Sequence, residues 1–251
     1  MSRIKIGLII SLVINSLVFV WEIEKYTTSK KENSIFTQSQ MDYWQDKVSQ
    51  FEILNSRTEH RTLLVGDSMI DRFCVDGFFS CMGVYNRGIG NETTQSLLNR
   101  IDQTVINTNT RVTIFYIGSN DLTHDIPIDN TIENLYKIVG KLIQSNISIY
   151  ILSLLPRGEQ YGKRKKNINL EHLNQKIVIL NQELNRLCIN KNINFVKISE
   201  YFSDKSGFLR SDFTNDGTHL NGRGYLVFEK VINKILIKEE THYKNNKKIF
   251  N

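Results

Sequence analysis

From residue 62 onward the chain alternates between short apolar or β-branched runs and longer stretches whose apolar residues recur every three or four positions. The short runs, residues 62–65, 84–86, 112–117, 148–154 and 194–198, are bounded by glycine or polar residues and predict strands. The stretches 93–105, 131–146, 169–190 and 221–239 predict helices. In the third of them Leu173, Ile177, Leu180, Leu184 and Leu187 share one face. Strands alternating with helices imply parallel β-α units. The run Val-Thr-Ile-Phe-Tyr-Ile at 112–117 is apolar on both faces, as a sheet covered by helices on both sides requires. The pattern therefore predicts a three-layer α/β/α domain over residues 58–240, with a five-stranded parallel sheet.

The pattern changes toward the amino terminus. Residues 6–21 carry no charge, and the apolar segment extends to Ile23, near the lower length limit for a helix that spans a bilayer. Arg3 and Lys5 precede it, which favours a cytoplasmic amino terminus, and Trp21 and Tyr26 would sit at the far interface. A cleaved signal peptide needs small residues at its cleavage site, and Val-Phe-Val-Trp-Glu-Ile-Glu-Lys-Tyr has none of that kind. Residues 1–23 are thus expected to form a short cytoplasmic stub and a single-pass transmembrane signal anchor, with everything after them outside the cytoplasm. Residues 24–57 lack glycine and proline and read as a helical linker. Met41, Trp44, Val48, Phe51 and Leu54 follow helical spacing there, and packing on the domain is the default for that face.

Charge changes the list of partners. The 251 residues have a formal net charge of +6, but the excess lies in residues 1–31 and in a basic tail, 241–251. Residues 32–240 are neutral overall, which argues against nucleic acid and fits basic ends beside an anionic membrane. The run Lys163-Arg164-Lys165-Lys166 reads as a solvated loop rather than a binding patch. Cys74, Cys81 and Cys188 show no metal-ligand spacing, and an odd count is not a disulfide framework. They read as small apolar filler, with a Cys74–Cys81 pair as the alternative.

In an open parallel sheet, sites form where the strands end. Gly66-Asp67-Ser68 follows the first strand. Asn86 to Thr94, Asn-Arg-Gly-Ile-Gly-Asn-Glu-Thr-Thr, follows the second, and Gly118-Ser119-Asn120-Asp121 the third. Asp216-Gly217-Thr218-His219 precedes the last helix. A serine hydroxyl needs a base to become a nucleophile, and the base needs an orienting carboxylate. Among the five histidines only His219 has an aspartate three residues before it at a loop-to-helix entry. An oxyanion could meet the backbone N–H of Ser68, a backbone N–H of the Gly-Ile-Gly-Asn-Glu turn and the Asn120 amide. Each piece alone also reads as an ordinary turn or helix cap; together, in this order, they converge on one edge.

With these segments, Val-Gly-Asp-Ser-Met-Ile-Asp, Ile-Gly-Ser-Asn-Asp and Asn-Asp-Gly-Thr-His-Leu-Asn-Gly-Arg-Gly-Tyr, residues 61–238 resemble the SGNH, or GDSL-type, hydrolases. The resemblance implies a flavodoxin-like sheet, Ser68 as nucleophile, His219 as general base and Asp216 as its partner. It implies Asn120 as an oxyanion donor, no metal or organic cofactor, and esters or thioesters as substrates. Asn91 stands where the family usually has the glycine whose N–H completes the oxyanion hole; a backbone donor tolerates a side chain, and asparagine adopts left-handed dihedrals readily. The expectation is a membrane-anchored extracytoplasmic serine esterase for an O-acyl ester, O-acetyl among them, on a glycan or lipid. Acyl transfer to a cell-surface polysaccharide and a non-catalytic binding module are the alternatives. A G-x-S-x-G elbow and a phosphate-binding P-loop are both absent from the sequence.

Overall fold

The computed structural model describes residues 36–55, 62–80, 82–166 and 168–249. The expected membrane segment and Cys81, and with it any Cys74–Cys81 pair, lie outside the described residues. Among those described, no helix is long and apolar enough to cross a membrane.

The five short apolar runs form β1 (Thr62–Gly66), β2 (Val84–Gly88), β3 (Val112–Tyr116), β4 (Ser148–Leu152) and β5 (Asn194–Val196). They make one parallel sheet in the order β2-β1-β3-β4-β5. Every residue of β1 and β3 is buried, so both faces of the sheet are covered. The chain leaves β1 toward one edge for β2 and later returns to the other side for β3, so a switch point lies where β1 and β3 end. Gly66 is in register with Gly88 on one side and Tyr116 on the other, so the three following loops leave the sheet at one level.

The helices are α1 (Gln38–Asn55), α2 (Ser68–Asp71), α3 (Val75–Phe79), α4 (Thr94–Ile101), α5 (Ser119–Thr123), α6 (Ile128–Gln144), α7 (Glu159–Arg164), α8 (Leu170–Lys191), α9 (Ser199–Phe202) and α10 (Gly222–Ile249). The α8 face expected from spacing is buried throughout. The helix expected over 93–105 changes at Asp102 into a π turn, Asp102–Ile106, closed by the Asn107 N–H on the Asp102 carbonyl. The last helix runs ten residues past its expected end, because no glycine or proline follows Gly224 to stop it. In α1 only Phe51 of the expected apolar face is buried, and Leu54 is exposed. From Asp46 on, α1 belongs to the compact body: Phe51 lies under the guanidinium groups of Arg87 and Arg100, and Asn55 donates to the Gln103 carbonyl at 2.7 Å.

The fourth and fifth strands stop two residues short of the expected ends. Beyond Ser153, whose N–H still meets the Val196 carbonyl at 2.9 Å, the backbone bonds to a side chain instead of a strand. Asn181 of α8 accepts from the Leu154 N–H at 2.7 Å and donates to the Leu154 carbonyl at 2.9 Å. Seven residues earlier on α8, Asn174 does the same for Arg157, at 2.7 and 3.0 Å.

Gly66 ends β1 where two backbones nearly touch: a Cβ there would sit 2.0 Å from the Tyr116 carbonyl oxygen, itself held in the sheet. Gly66→Ala should therefore cost at least about 2 kcal/mol, read as a lowered urea midpoint at unchanged slope.

Candidate active site

Ser68 is the first residue of α2. Asp67 caps that helix through the Met69 N–H (2.9 Å to Oδ1), and its other oxygen accepts from the Ser119 hydroxyl at 2.9 Å. Asp67 is fully buried. Burial raises its carboxyl to about 6, against the hydrogen bonds from Met69 and Ser119 and the charge of Arg157.

The residues expected to meet do so. The Ser68 hydroxyl lies 2.9 Å from Nε2 of His219, across 151 positions of sequence. Nδ1 of the same ring lies 2.7 Å from Oδ2 of Asp216. The other Asp216 oxygen accepts the backbone N–H groups of Thr218 and His219, both at 2.8 Å. Partial burial works to raise the Asp216 carboxyl, but the bonds from His219 and Thr218 prevail and hold it well below the usual carboxylate range. That anion fixes the proton on Nδ1 and leaves Nε2 free to accept from Ser68. Burial pushes His219 below its ordinary value of 6.5; Asp216 opposes the shift, and the nearby Arg72 and Arg157 add to it. The turn is fixed through Thr214, whose hydroxyl donates to the His219 carbonyl at 2.8 Å and accepts from the Gly217 N–H at 2.9 Å. Tyr225, in the first turn of α10, donates to the Met69 carbonyl at 2.9 Å and so ties the helix after His219 to the helix of Ser68.

The expected oxyanion donors come from three loops. Asn91 adopts a left-handed backbone, φ 62°. The neighbouring Gly90 N–H is spent on Asp71 at 3.1 Å, whereas the Asn91 and Ser68 N–H groups have no acceptor among the described residues. Asn120 donates one amide hydrogen to the Glu92 carbonyl at 3.0 Å and keeps the other. The Asn91 side chain turns to His124, with Oδ1 3.2 Å from Nε2.

Behind the donors lies a second set of contacts that motif reading does not reveal. Glu92 and Arg100 form a wholly buried ion pair, with Nε 2.6 Å from Oε1 and Nη2 on Oε2. Arg100 also donates to the Arg87 carbonyl and to Thr104. Asp121, next to Asn120, accepts the Thr94 N–H and hydroxyl, and burial raises its carboxyl. Glu92 and Arg100 stand eight residues apart, beyond the three or four at which a helix brings side chains together, so spacing announces neither this pair nor the partner of Asp121. Among the described residues no group of three or more His, Cys, Asp or Glu is placed to hold a metal.

A model of the GDSL-like Lipase/Acylhydrolase family matches residues 65–227. The isoamyl acetate-hydrolyzing esterase of Saccharomyces cerevisiae is 22% identical over 171 residues, 64% of this chain and 71% of the esterase. Among solved structures, a Streptococcus pneumoniae protein provisionally described as a platelet activating factor superposes with a TM-score of 0.72 at 25% identity, covering 84% of this chain and 99% of the other. An acetylxylan esterase of Geobacillus stearothermophilus, a catalytic mutant, gives 0.57 at 14%, covering 71% and 94%.

Removing either partner of the buried Glu92–Arg100 pair leaves a charge without compensation. Glu92→Ala and Arg100→Ala should each destabilise by about 3–5 kcal/mol in urea unfolding, while the apolar double variant E92M/R100M should lose less than the two summed.

Proposed function

The chain belongs to the GDSL-like lipase/acylhydrolase family and is a carboxylic ester hydrolase, and on that footing we propose that it works by a Ser68–His219–Asp216 relay on an O-acyl ester outside the cytoplasm. The observation that carries the reading is one hydroxyl 2.9 Å from an imidazole whose far nitrogen is 2.7 Å from a carboxylate. His219 takes the Ser68 proton as Oγ attacks the ester carbonyl. The negative charge that develops on the carbonyl oxygen falls to the N–H groups of Ser68 and Asn91 and to the Asn120 amide. The tetrahedral intermediate collapses, His219 protonates the departing alcohol, and an acyl-serine remains. Water, deprotonated by the same imidazole, releases the acid and restores Ser68.

The acyl group is small, acetyl first. Two similar proteins act on acetyl esters by name, and Asn91 adds a side chain, turned to His124, at the position where the family usually has glycine. The ester is carried by a glycan or lipid at the cell surface. Residues 1–23 tether the domain, an inference supported by the uncharged run 6–21 behind Arg3 and Lys5.

Ser68→Ala should lower p-nitrophenyl acetate turnover by on the order of 10⁴-fold and abolish labelling by a fluorophosphonate; undiminished turnover in the folded variant would refute the relay. Asn120→Ala should cost about 10²–10³ in kcat with little change in KM. Because only neutral His219 can accept a proton and burial depresses its pKa, kcat/KM should fall with acid through a midpoint below 6.5. A limb centred above that value contradicts the assignment. In fractionated cells the full chain should sediment with membranes, and a version without residues 1–23 should not.

A further inference from the structure

Arg157 lies in the loop after β4 and is buried, yet its guanidinium has no acceptor. Nε is sealed from solvent without a hydrogen-bond partner, and no carboxylate among the described residues is within ion-pair distance. Buried charges are ordinarily paired, so an unspent guanidinium is an exception that asks for a ligand. Its place is fixed. Asn174 holds both backbone groups of Arg157. The next residue, Gly158, donates to the Gly217 carbonyl at 2.8 Å, inside the turn that bears Asp216 and His219. The fit is tight enough that a Cβ on Gly217 would sit 2.3 Å from the Tyr161 nitrogen. The guanidinium lies over the Tyr161 ring, 5.5 Å from its centre, and its charge acts on Asp67, Tyr116 and His219. Its charge is thus felt at His219, and the Gly158–Gly217 bond ties its loop to the His219 turn. It makes no hydrogen bond to Asp67, whose oxygens accept from Met69 and Ser119, although its charge favours that carboxylate.

More cations stand at the rim. Arg164, at the end of α7, brings Nη1 to 3.9 Å from Oδ2 of Asp216, and Lys163, Lys165 and Lys166 are exposed beside it. Glu159 offsets only Lys163, at 3.4 Å. Arg72 acts on His219 from the end of α2. The run read from sequence as a solvated loop is thus drawn to the site by Arg164, so local positive charge gathers there although residues 32–240 are neutral overall.

We propose that Arg157 is the anchor of an anion subsite that grips a phosphate or carboxylate on the alcohol portion of the ester, with Arg164 and its neighbours steering the anion in. The planar guanidinium fork suits either group, and rim cations raise the encounter rate for an anionic substrate. This inference rests on the esterase reading of Ser68 and His219, and it narrows the substrate class to esters that bear a negative charge near the scissile bond.

The test compares 4-acetoxybenzoate with its neutral analogue 4-acetoxybenzamide. The wild-type kcat/KM should favour the anion by roughly 10- to 100-fold, R157Q should erase most of that preference, and R164Q should weaken its dependence on low salt. Inorganic phosphate should compete with the neutral ester in the wild type and tenfold less well in R157Q. If R157Q does not fold, the wild-type preference and phosphate competition still decide. Equal rates on both esters with no phosphate competition would overturn the subsite and leave the esterase standing, as would an R157Q loss that is equal on both esters. Should neither ester be cleaved, the esterase reading fails instead, and calorimetry of phosphate with wild type and R157Q tests the anion site by itself.

Discussion

A carboxylate removed from water must find donors, and this requirement organises the carboxyl edge of the sheet. Asp67, Glu92 and Asp121 are all essentially inaccessible to solvent. Each takes its donors from another segment or from the element that follows it: Asp67 from Ser119, Glu92 from Arg100, Asp121 from Thr94. The loops after β1, β2 and β3 are therefore locked to one another and to α4 through buried charge. Leaving any one of these groups unpaired costs more than a surface loop could tolerate, so the loops have little freedom to drift. Donors aimed at a developing oxyanion work only if they are already in place when the charge appears, and this framework holds the groups proposed for that role.

The groups of the proposed relay are assembled from two scales of contact. Asp216 and His219 meet within a single turn stiffened by Thr214, so that half of the relay is local. Ser68 comes from the far side of the sequence, and the distance between hydroxyl and imidazole depends on how α10 sits against α2. The Tyr225 hydroxyl on the Met69 carbonyl sets that spacing, and the stacking of Tyr225 on Phe73, 5.3 Å between ring centres, supports it.

Much of this was legible in the sequence, for physical reasons that also mark where legibility ends. Period and length give the five strands and the four long helices, because burial on a sheet or along one helix face imposes a repeat on side chains. Ser68, Asn120, Asp216 and His219 could be named because each sits at a strand end or helix entry, where glycine and polar residues interrupt apolar runs. The strand ends at Leu152 and Val196 and the poorly buried face of α1 could not be read, since each depends on a partner distant in sequence, and the π turn after Ile101 closes on a local bond that side-chain spacing does not announce. The charge run 163–166 could be seen but not placed. Its meaning comes from Arg164 reaching Asp216 and from the lone guanidinium of Arg157 close by, and neither is a property of sequence spacing.

Asn174 and Asn181 have a consequence for how such a protein can change. Two amides, two helical turns apart, hold Arg157 and Leu154 wholly by main-chain groups. Nothing in that grip reads the side chains it supports. The segment behaves as an interchangeable cassette: mutation can swap what it presents to an incoming molecule while its path through space is preserved, so new preferences can arise at this wall without re-evolving the scaffold.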